Sequence, residues 1–275
     1  MHTTLVQRQY DEVIAQHYDR DPQGVLGGSR ERALAQIRTR LQSEANGRPL
    51  KILDVGMGTG RFLERLMVET GRPIEPFGLD LSEKMVDVAR TRLPNLAAVV
   101  DDAQHLDNHF PGEAFDLIST HFVTGFVPAG VLAPKIWNKL APGGCWSLVG
   151  GTKQGFPALQ RKANGRIIRW IFGGRKLDLD ELVCNPADLN EATQTVEEHG
   201  FVVQSSETFE PALQFRNLNE FLDFAYYGGW LAPFVEELGL HEARMLLRLV
   251  LNTFVFPVKD NHSIVVVLAQ KAQRR

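Results

Sequence analysis

The run Ile52-Leu53-Asp54-Val55-Gly56-Met57-Gly58-Thr59-Gly60-Arg61-Phe62 limits the folds open to this chain more than any other feature. A short stretch with the character of a buried strand ends in three alternate glycines, after which Phe62, Leu63, Leu66 and Met67 recur at helical spacing. Glycines at such a turn let the backbone reverse sharply and approach a ligand closely, and the helix that follows offers unpaired N–H groups at its N-terminus. A dinucleotide-binding loop of the GxGxxG type needs glycine where Arg61 stands; the pattern here is GxGxG with Asp54 ahead of it. A carboxylate in that place repels a pyrophosphate and suits a ligand that carries an ammonium and a sulfonium.

Two more acids extend the pattern. Asp80 lies twenty residues after Gly60, at the end of the next strand candidate in Gly78-Leu79-Asp80-Leu81-Ser82, where a carboxylate can accept ribose hydroxyls. Asp101-Asp102-Ala103 follows the strand candidate Ala97 to Val100, where a carboxylate can accept an adenine amino group. One such acid reads as a strand-end cap or a solvated charge. Three, at the carboxyl ends of three successive strands, are much harder to dismiss as caps.

The remaining strand candidates are Pro76 to Leu79, Phe115 to Ser119, Cys145 to Gly150, Val202 to Phe209 and Ser263 to Gln270. Together with Ile52 to Val55 and Ala97 to Val100 they predict an α/β fold: a doubly wound, mostly parallel sheet of seven strands, with helices on both faces and an inserted helical lid. The chain is expected to be a single domain over 1–275, with lid helices in 1–47, a core in 48–152 and substrate-side insertions in 153–183 and 211–257. Gln7 to Tyr18 is expected as a short amphipathic helix, Asp21-Pro22-Gln23-Gly24 as a turn, and Ser29 to Ser43 as a helix with Ser29 as its N-cap. A further helix is expected near Asn185 to His199.

Composition narrows the partners. A chain of 275 residues that is 44% hydrophobic and 23% charged can bury a sizeable core. A net charge of −3 supplies no global positive field for phosphates, so nucleic acid is a poor candidate partner. Cys145 and Cys184 have no metal-like spacing, and no basic-then-apolar signal region is apparent; a reduced, cytoplasmic protein is expected. Leu246 to Val258 is interrupted by Arg248, Asn252 and Pro257 and is too short to span a bilayer, so stable membrane insertion is not expected. The oligomeric state, homo-oligomer or monomer, stays open.

Over roughly residues 48–150 and again in the last strand, the chain resembles the class I S-adenosylmethionine-dependent methyltransferases of the small-molecule type. The resemblance implies a Rossmann-like seven-stranded sheet whose last strand is antiparallel, S-adenosyl-L-methionine as cofactor, and a small-molecule acceptor. Residue by residue it implies that Asp54, Gly56, Gly58 and Gly60 line the methionine portion, that Asp80 holds the ribose, that Leu81 and Met85 pack on the adenine, and that Asp102 with the Ala103 backbone reads its edge. Thr120, at the end of the fourth strand, is assigned to the same cofactor wall. Phe115-Asp116-Leu117-Ile118 and Leu140-Ala141-Pro142-Gly143-Gly144 look like later motifs of that family. Where many relatives carry a Leu-His-His-like segment, this chain has Val123-Thr124-Gly125-Phe126, which leaves the acceptor undetermined.

His121, just past the fourth strand, is the first candidate for a general base, set against a plain capping role. Tyr10 to Asp19 is similar to the lid helix that closes over the cofactor in many such enzymes; Tyr18 is the candidate to face the methionine carboxylate, and Arg30 is another. Basic residues from Arg161 to Lys176 interleave with Ile167, Ile168, Trp170, Ile171 and Phe172, a solvated face or a grip on a phosphate or a membrane surface. The aromatic residues of 211–257 either cover a sheet edge or roof an apolar pocket. The leading expectation is methyl transfer to an apolar metabolite such as a secondary metabolite, quinone-like ring or isoprenoid. The alternatives are a protein or nucleic-acid methyltransferase, a non-catalytic scaffold that binds the cofactor, and a nicotinamide dehydrogenase.

Overall fold

The seven strand candidates pair into one sheet in the computed structural model, which describes residues 3–41, 48–171, 173–174 and 183–272. These strands are β1 (Leu50–Val55), β2 (Ile74–Asp80), β3 (Ala97–Val100), β4 (Phe115–His121), β5 (Leu140–Gly151), β6 (Phe201–Phe209) and β9 (Ile264–Lys271). Their order is β3-β2-β1-β4-β5-β9-β6, with β9 antiparallel to both of its neighbours and the other pairings parallel. The winding reverses between β1 and β4, the place where open α/β sheets hold ligands at the carboxyl ends of their strands.

Apolar runs rather than alternation build the central strands β1, β4, β5 and β9, because both faces of the sheet are covered there, whereas the edge strand β6 alternates. Ile264, Val266 and Leu268 of β9 join the core on one face, and Val265, Val267 and Ala269 join the core on the other. The first core receives α2 (Val25–Leu41), α3 (Arg61–Thr70) and α4 (Glu83–Arg92) through Leu34, Ile37, Leu63, Leu66, Met85 and Ala89; α5 (Ala129–Lys139) and α8 (Leu189–Glu198) close the second through Leu132, Ile136, Ala192 and Val196. Each such Leu, Ile, Val or Met side chain removed from water contributes about 1.5–3 kcal/mol before the entropy of ordering is counted. Among the described residues, no helix is long and apolar enough to cross a membrane.

The N-terminal region departs from its sequence reading. In place of one helix to Tyr18, α1 (Thr3–Gln9) widens into a π-helical turn over Tyr10–Ile14, and a 3₁₀ turn follows over Tyr18–Arg20. Ser29 does not cap α2. The helix begins four residues earlier, at Val25, and Ser29 is buried inside it with an unpaired hydroxyl. The cap is Asp21, whose carboxylate accepts the N–H groups of Leu26 at 3.1 Å and Gly27 at 2.7 Å.

The two insertions pack on the first core. Residues 153–183 form α6 (Pro157–Ala163) and α7 (Arg166–Ile171); Leu159 and Ile168 are buried, whereas Trp170 is 82% exposed. Phe172, Arg175, Lys176 and the following residues to 182 lie outside the described residues, as do residues 42–47. The second insertion carries α9 (Leu218–Ala225), α10 (Ala232–Glu237) and α11 (Met245–Phe254). A ribbon that the sequence reading lacked frames it: β7 (Ala212–Phe215) pairs antiparallel with β8 (Val258–Asn261). Cys145 is buried and Cys184 is exposed.

Candidate active site

β1 delivers Asp54 to the switch point as a buried residue, and its Oδ1 accepts the Ser119 hydroxyl proton at 2.7 Å from β4. Burial pushes the Asp54 carboxyl up to about 7, against the Ser119 hydrogen bond that favours the charged form. The loop then turns through Gly56, Gly58 and Gly60, all in the left-handed region. At Gly56 two constraints coincide: φ is 70°, and a Cβ would lie 2.3 Å from Val123 Cγ2.

Asp80 ends β2 beside this loop. Its carboxylate accepts the Gly58 N–H at 2.7 Å and the Ser82 N–H at 2.9 Å, and burial holds it up at about 6 despite them. Asp102 follows β3 and caps the short turn Ala103–Asn108 by accepting the Gln104 N–H at 2.8 Å. Asp80, Leu81, Asp102, Ala103 and the backbone of Gly56 and Gly58 thus line one cleft.

Two residues assigned to this wall stand elsewhere. Met85 is fully buried in the core, because α4 sends Met85, Val86 and Ala89 inward from the cap at Ser82. Thr120 is buried on the opposite side of β4 from Ser119 and His121, and its hydroxyl accepts the Trp146 indole N–H at 2.8 Å.

The N-terminal segment crosses the mouth of the cleft as a strap tied at two points. Ser82 donates its hydroxyl proton to Asp11 at 2.6 Å; Asp19 accepts the Thr59 hydroxyl at 2.7 Å and the Arg92 guanidinium at 2.6 Å. Tyr10 and Tyr18, between these ties, line the cleft, and burial followed by the Asp80 charge raises the Tyr18 hydroxyl well above its ordinary value. Arg30, from α2, lines an adjoining lobe with Asp54, Gly56, Tyr18 and His121; no carboxylate pairs with it among the described residues.

His121 is in this wall. Its Nε2 lies 3.0 Å from Ser147 Oγ, its ring meets Phe62 edge-on at 4.3 Å, and burial lowers it to about 3. It stays neutral at physiological pH and holds a transferred proton weakly, a poor match for a general base. A second lobe opens beyond Tyr10, Phe122 and Phe126, walled by Phe156, Trp230, Asn185 and His262. Of the aromatic residues of 211–257, expected either to cover a sheet edge or to roof an apolar pocket, Trp230 walls this lobe, whereas Phe215, Phe221, Phe224, Tyr226 and Phe234 are buried in the first core; Asn185 and His262, which meet only through the fold, were not among the expected site residues.

Comparison with known proteins agrees with the sheet order. A family model described as a methyltransferase domain matches residues 52–144. Residues 52–144 are thus a methyltransferase domain. A stretch of 116 residues is 35% identical to trans-aconitate 2-methyltransferase of Methylobacterium radiotolerans, covering 42% of each chain. Another of 115 residues is 31% identical to demethylmenaquinone methyltransferase of Chlorobaculum tepidum, covering 42% of this chain and 46% of that one. The matched part therefore spans less than half the length of these curated relatives. In overall fold the methyltransferase domain and its insertions are similar to the YcgJ protein of Bacillus subtilis, at a TM-score of 0.58 and 18% identity over 89% of this chain and all of that one. They are also similar to phosphoethanolamine N-methyltransferase 2 of Haemonchus contortus bound to S-adenosyl-L-methionine, at a TM-score of 0.50 and 18% identity over 88% of this chain and 53% of that one.

Proposed function

We propose that this chain transfers a methyl group from S-adenosylmethionine to a small, uncharged, largely apolar molecule. The observation that carries the reading is the cleft itself: acids end three adjacent strands around a glycine loop, and an aromatic lobe opens beside them. In this reading Asp80 accepts the ribose hydroxyls, Asp102 and the Ala103 backbone take the adenine edge, and Leu81 covers its face. Arg30, a partly buried cation without a carboxylate partner among the described residues, takes the methionine carboxylate, and Asp54 faces the ammonium. The cofactor supplies an electrophilic methyl on a sulfonium. The protein's share is then alignment and exclusion of water, done by the strap and by Phe122 and Phe126 between the two lobes.

The lining of the aromatic lobe bears on the acceptor. Among the described residues it contains no Asp, Glu, Lys or Arg. A polycarboxylate such as the substrate in the name of the trans-aconitate relatives would lose its hydration there without a cation in return. An uncharged ring, as in the name of the demethylmenaquinone relatives, would not. The test is calorimetric titration of the protein with S-adenosylmethionine, S-adenosylhomocysteine and NADH, followed by a screen of apolar acceptors with labelled methyl donor. Micromolar binding of the two adenosyl compounds alone, with label transferred to an uncharged acceptor, is expected; binding of NADH, or of none of them, sinks the reading.

A further inference from the structure

The aromatic lobe holds two polar side chains with no part in cofactor binding. His262, in the turn from β8 into β9, is 5% exposed. Its ring stacks on Phe156, with centroids 4.5 Å apart and 16° between planes, and meets Trp230 edge-on at 5.3 Å. Nδ1 is enclosed with no hydrogen-bond partner. Asn185 belongs to a segment held in place on either side: the Cys184 N–H donates to the Gly125 carbonyl at 2.9 Å, and the Lys153 N–H donates to the Pro186 carbonyl at 2.9 Å.

The two side chains converge over one glycine. A Cβ on Gly151 would lie 2.9 Å from Asn185 Nδ2 and 3.1 Å from His262 Nε2, and a Cβ on Gly155 would lie 2.6 Å from His262 Nδ1. Glycine at 151 and 155 therefore makes the room that the imidazole occupies, and Asn185 and His262 both stand in the wall of the lobe. An enclosed N–H without an acceptor is costlier than an enclosed lone pair, which places the ring proton on Nε2. Burial lowers His262 to about 4, so the ring is neutral at physiological pH. Two neutral N–H donors then face one space, and the group they satisfy is an oxygen with free lone pairs.

We infer that Asn185 Nδ2 and His262 Nε2 form a two-donor cradle for a carbonyl or enolate oxygen on a planar, conjugated acceptor. The inference rests on the methyltransferase reading only in calling that molecule the acceptor. Phe156 and Trp230 hold the imidazole by stacking, so the cradle keeps its shape before the ligand arrives. A site built to donate to an oxygen discriminates against the same ring without it, because the desolvated donors are then left unpaired.

The probes are 1-indanone and indane, one bicyclic frame with and without a carbonyl, titrated into the full chain and followed by protein-observed NMR. In the wild-type protein indanone is expected to bind at least tenfold more tightly than indane. His262→Phe and Asn185→Leu should each bring indanone down to the affinity of indane while indane itself changes less than twofold. Equal affinities in the wild type, no binding of either probe, or a preference that survives both substitutions would overturn the cradle. If His262→Phe does not fold, the comparison of Asn185→Leu with Asn185→Ala decides in the same way. S-adenosylhomocysteine is titrated into the same samples; its failure to bind counts against the methyltransferase reading and leaves the indanone preference to be judged alone.

Discussion

The carboxylate of Asp19 accepts the hydroxyl proton of Thr59 at 2.7 Å, which fastens the chain ahead of the sheet to the glycine loop that ends its first strand. Because Arg92 donates to the other oxygen of Asp19 at 2.6 Å, one side chain joins strap, loop and α4. Asp19→Ala should free the strap. Loss of charge-assisted hydrogen bonds of about 1.5–3 kcal/mol each, discounted for the partial exposure of Asp19, predicts roughly tenfold weaker S-adenosylhomocysteine binding. Faster backbone amide exchange over Tyr10–Arg20 should accompany it. An unaltered dissociation constant with unaltered exchange would mean that the strap is held by its aromatic contacts instead.

Asp80→Ala should weaken the adenosyl compounds by a factor of ten to a hundred, the order expected for one or two charge-assisted hydrogen bonds to the ribose. Asp80 also fixes Gly58 and Ser82 through their N–H groups, so Asp80→Asn is the sharper variant. It retains an acceptor for one backbone N–H and removes the charge. Calorimetry that gives wild-type affinity for both variants would displace the ribose from this position.

The buried acids predict opposite responses of stability and cofactor affinity to pH. Asp54 and Asp80 are raised to about 7 and about 6 in the folded protein, above the ordinary carboxylate value near 3.9. Between about pH 4 and 7 the folded state therefore binds more protons than the unfolded one, and these groups make stability fall as pH rises. The slope is no steeper than about 1.4 kcal/mol per pH unit per group. Thermal melts of Asp54→Asn should lose part of that slope. Affinity for the cationic cofactor should run the other way, strengthening from pH 5.5 to 8 as Asp54 ionises. A flat affinity profile would remove Asp54 from the ammonium.

Gly56→Ala combines a strained φ with a Cβ driven into Val123. Destabilisation of about 1–3 kcal/mol is expected from the contact and the backbone together, visible as a lowered melting temperature, with adenosyl binding lost at ordinary concentrations. A melting temperature within a degree of wild type would show that the loop can shift at little cost.

The sheet was legible because parallel strands buried on both faces announce themselves as apolar runs, and because their ends carry the glycines and acids. All seven strand candidates match strands within a few residues, and β9 lies antiparallel as expected. What stayed hidden depends on contacts distant in sequence. The strands of the β7–β8 ribbon have four residues each and are separated by residues 216–257, so neither has a local pattern to betray it. The start of α2 was misplaced because Asp21 caps it from beyond a proline and a glycine, whereas Ser29 has the better local fit to a cap. Strand and helix periodicity alone could have turned Thr120 and Met85 away from the cleft. His262 and Asn185 offered no signal, since an isolated histidine or asparagine gains meaning only from the neighbours that the fold brings to it.

The position of β9 has a consequence for the order in which the protein can fold. β6 has no partner in the sheet other than β9, and β5 gains its second partner only from the same strand. The five parallel strands β1 to β5 come from residues 50–151 and carry the side of the cleft lined by Asp80 and Asp102. That half is complete on a growing chain long before the strand that delivers His262 has been made. Closure of the antiparallel half needs a loop of more than a hundred residues between β5 and β9 to be drawn in, the kind of non-local pairing that slows folding. In the proposed reading, nucleotide recognition can therefore form early in synthesis, while selection of the second substrate waits for the last strand to add to the open edge of β5 and bring β6 onto the sheet.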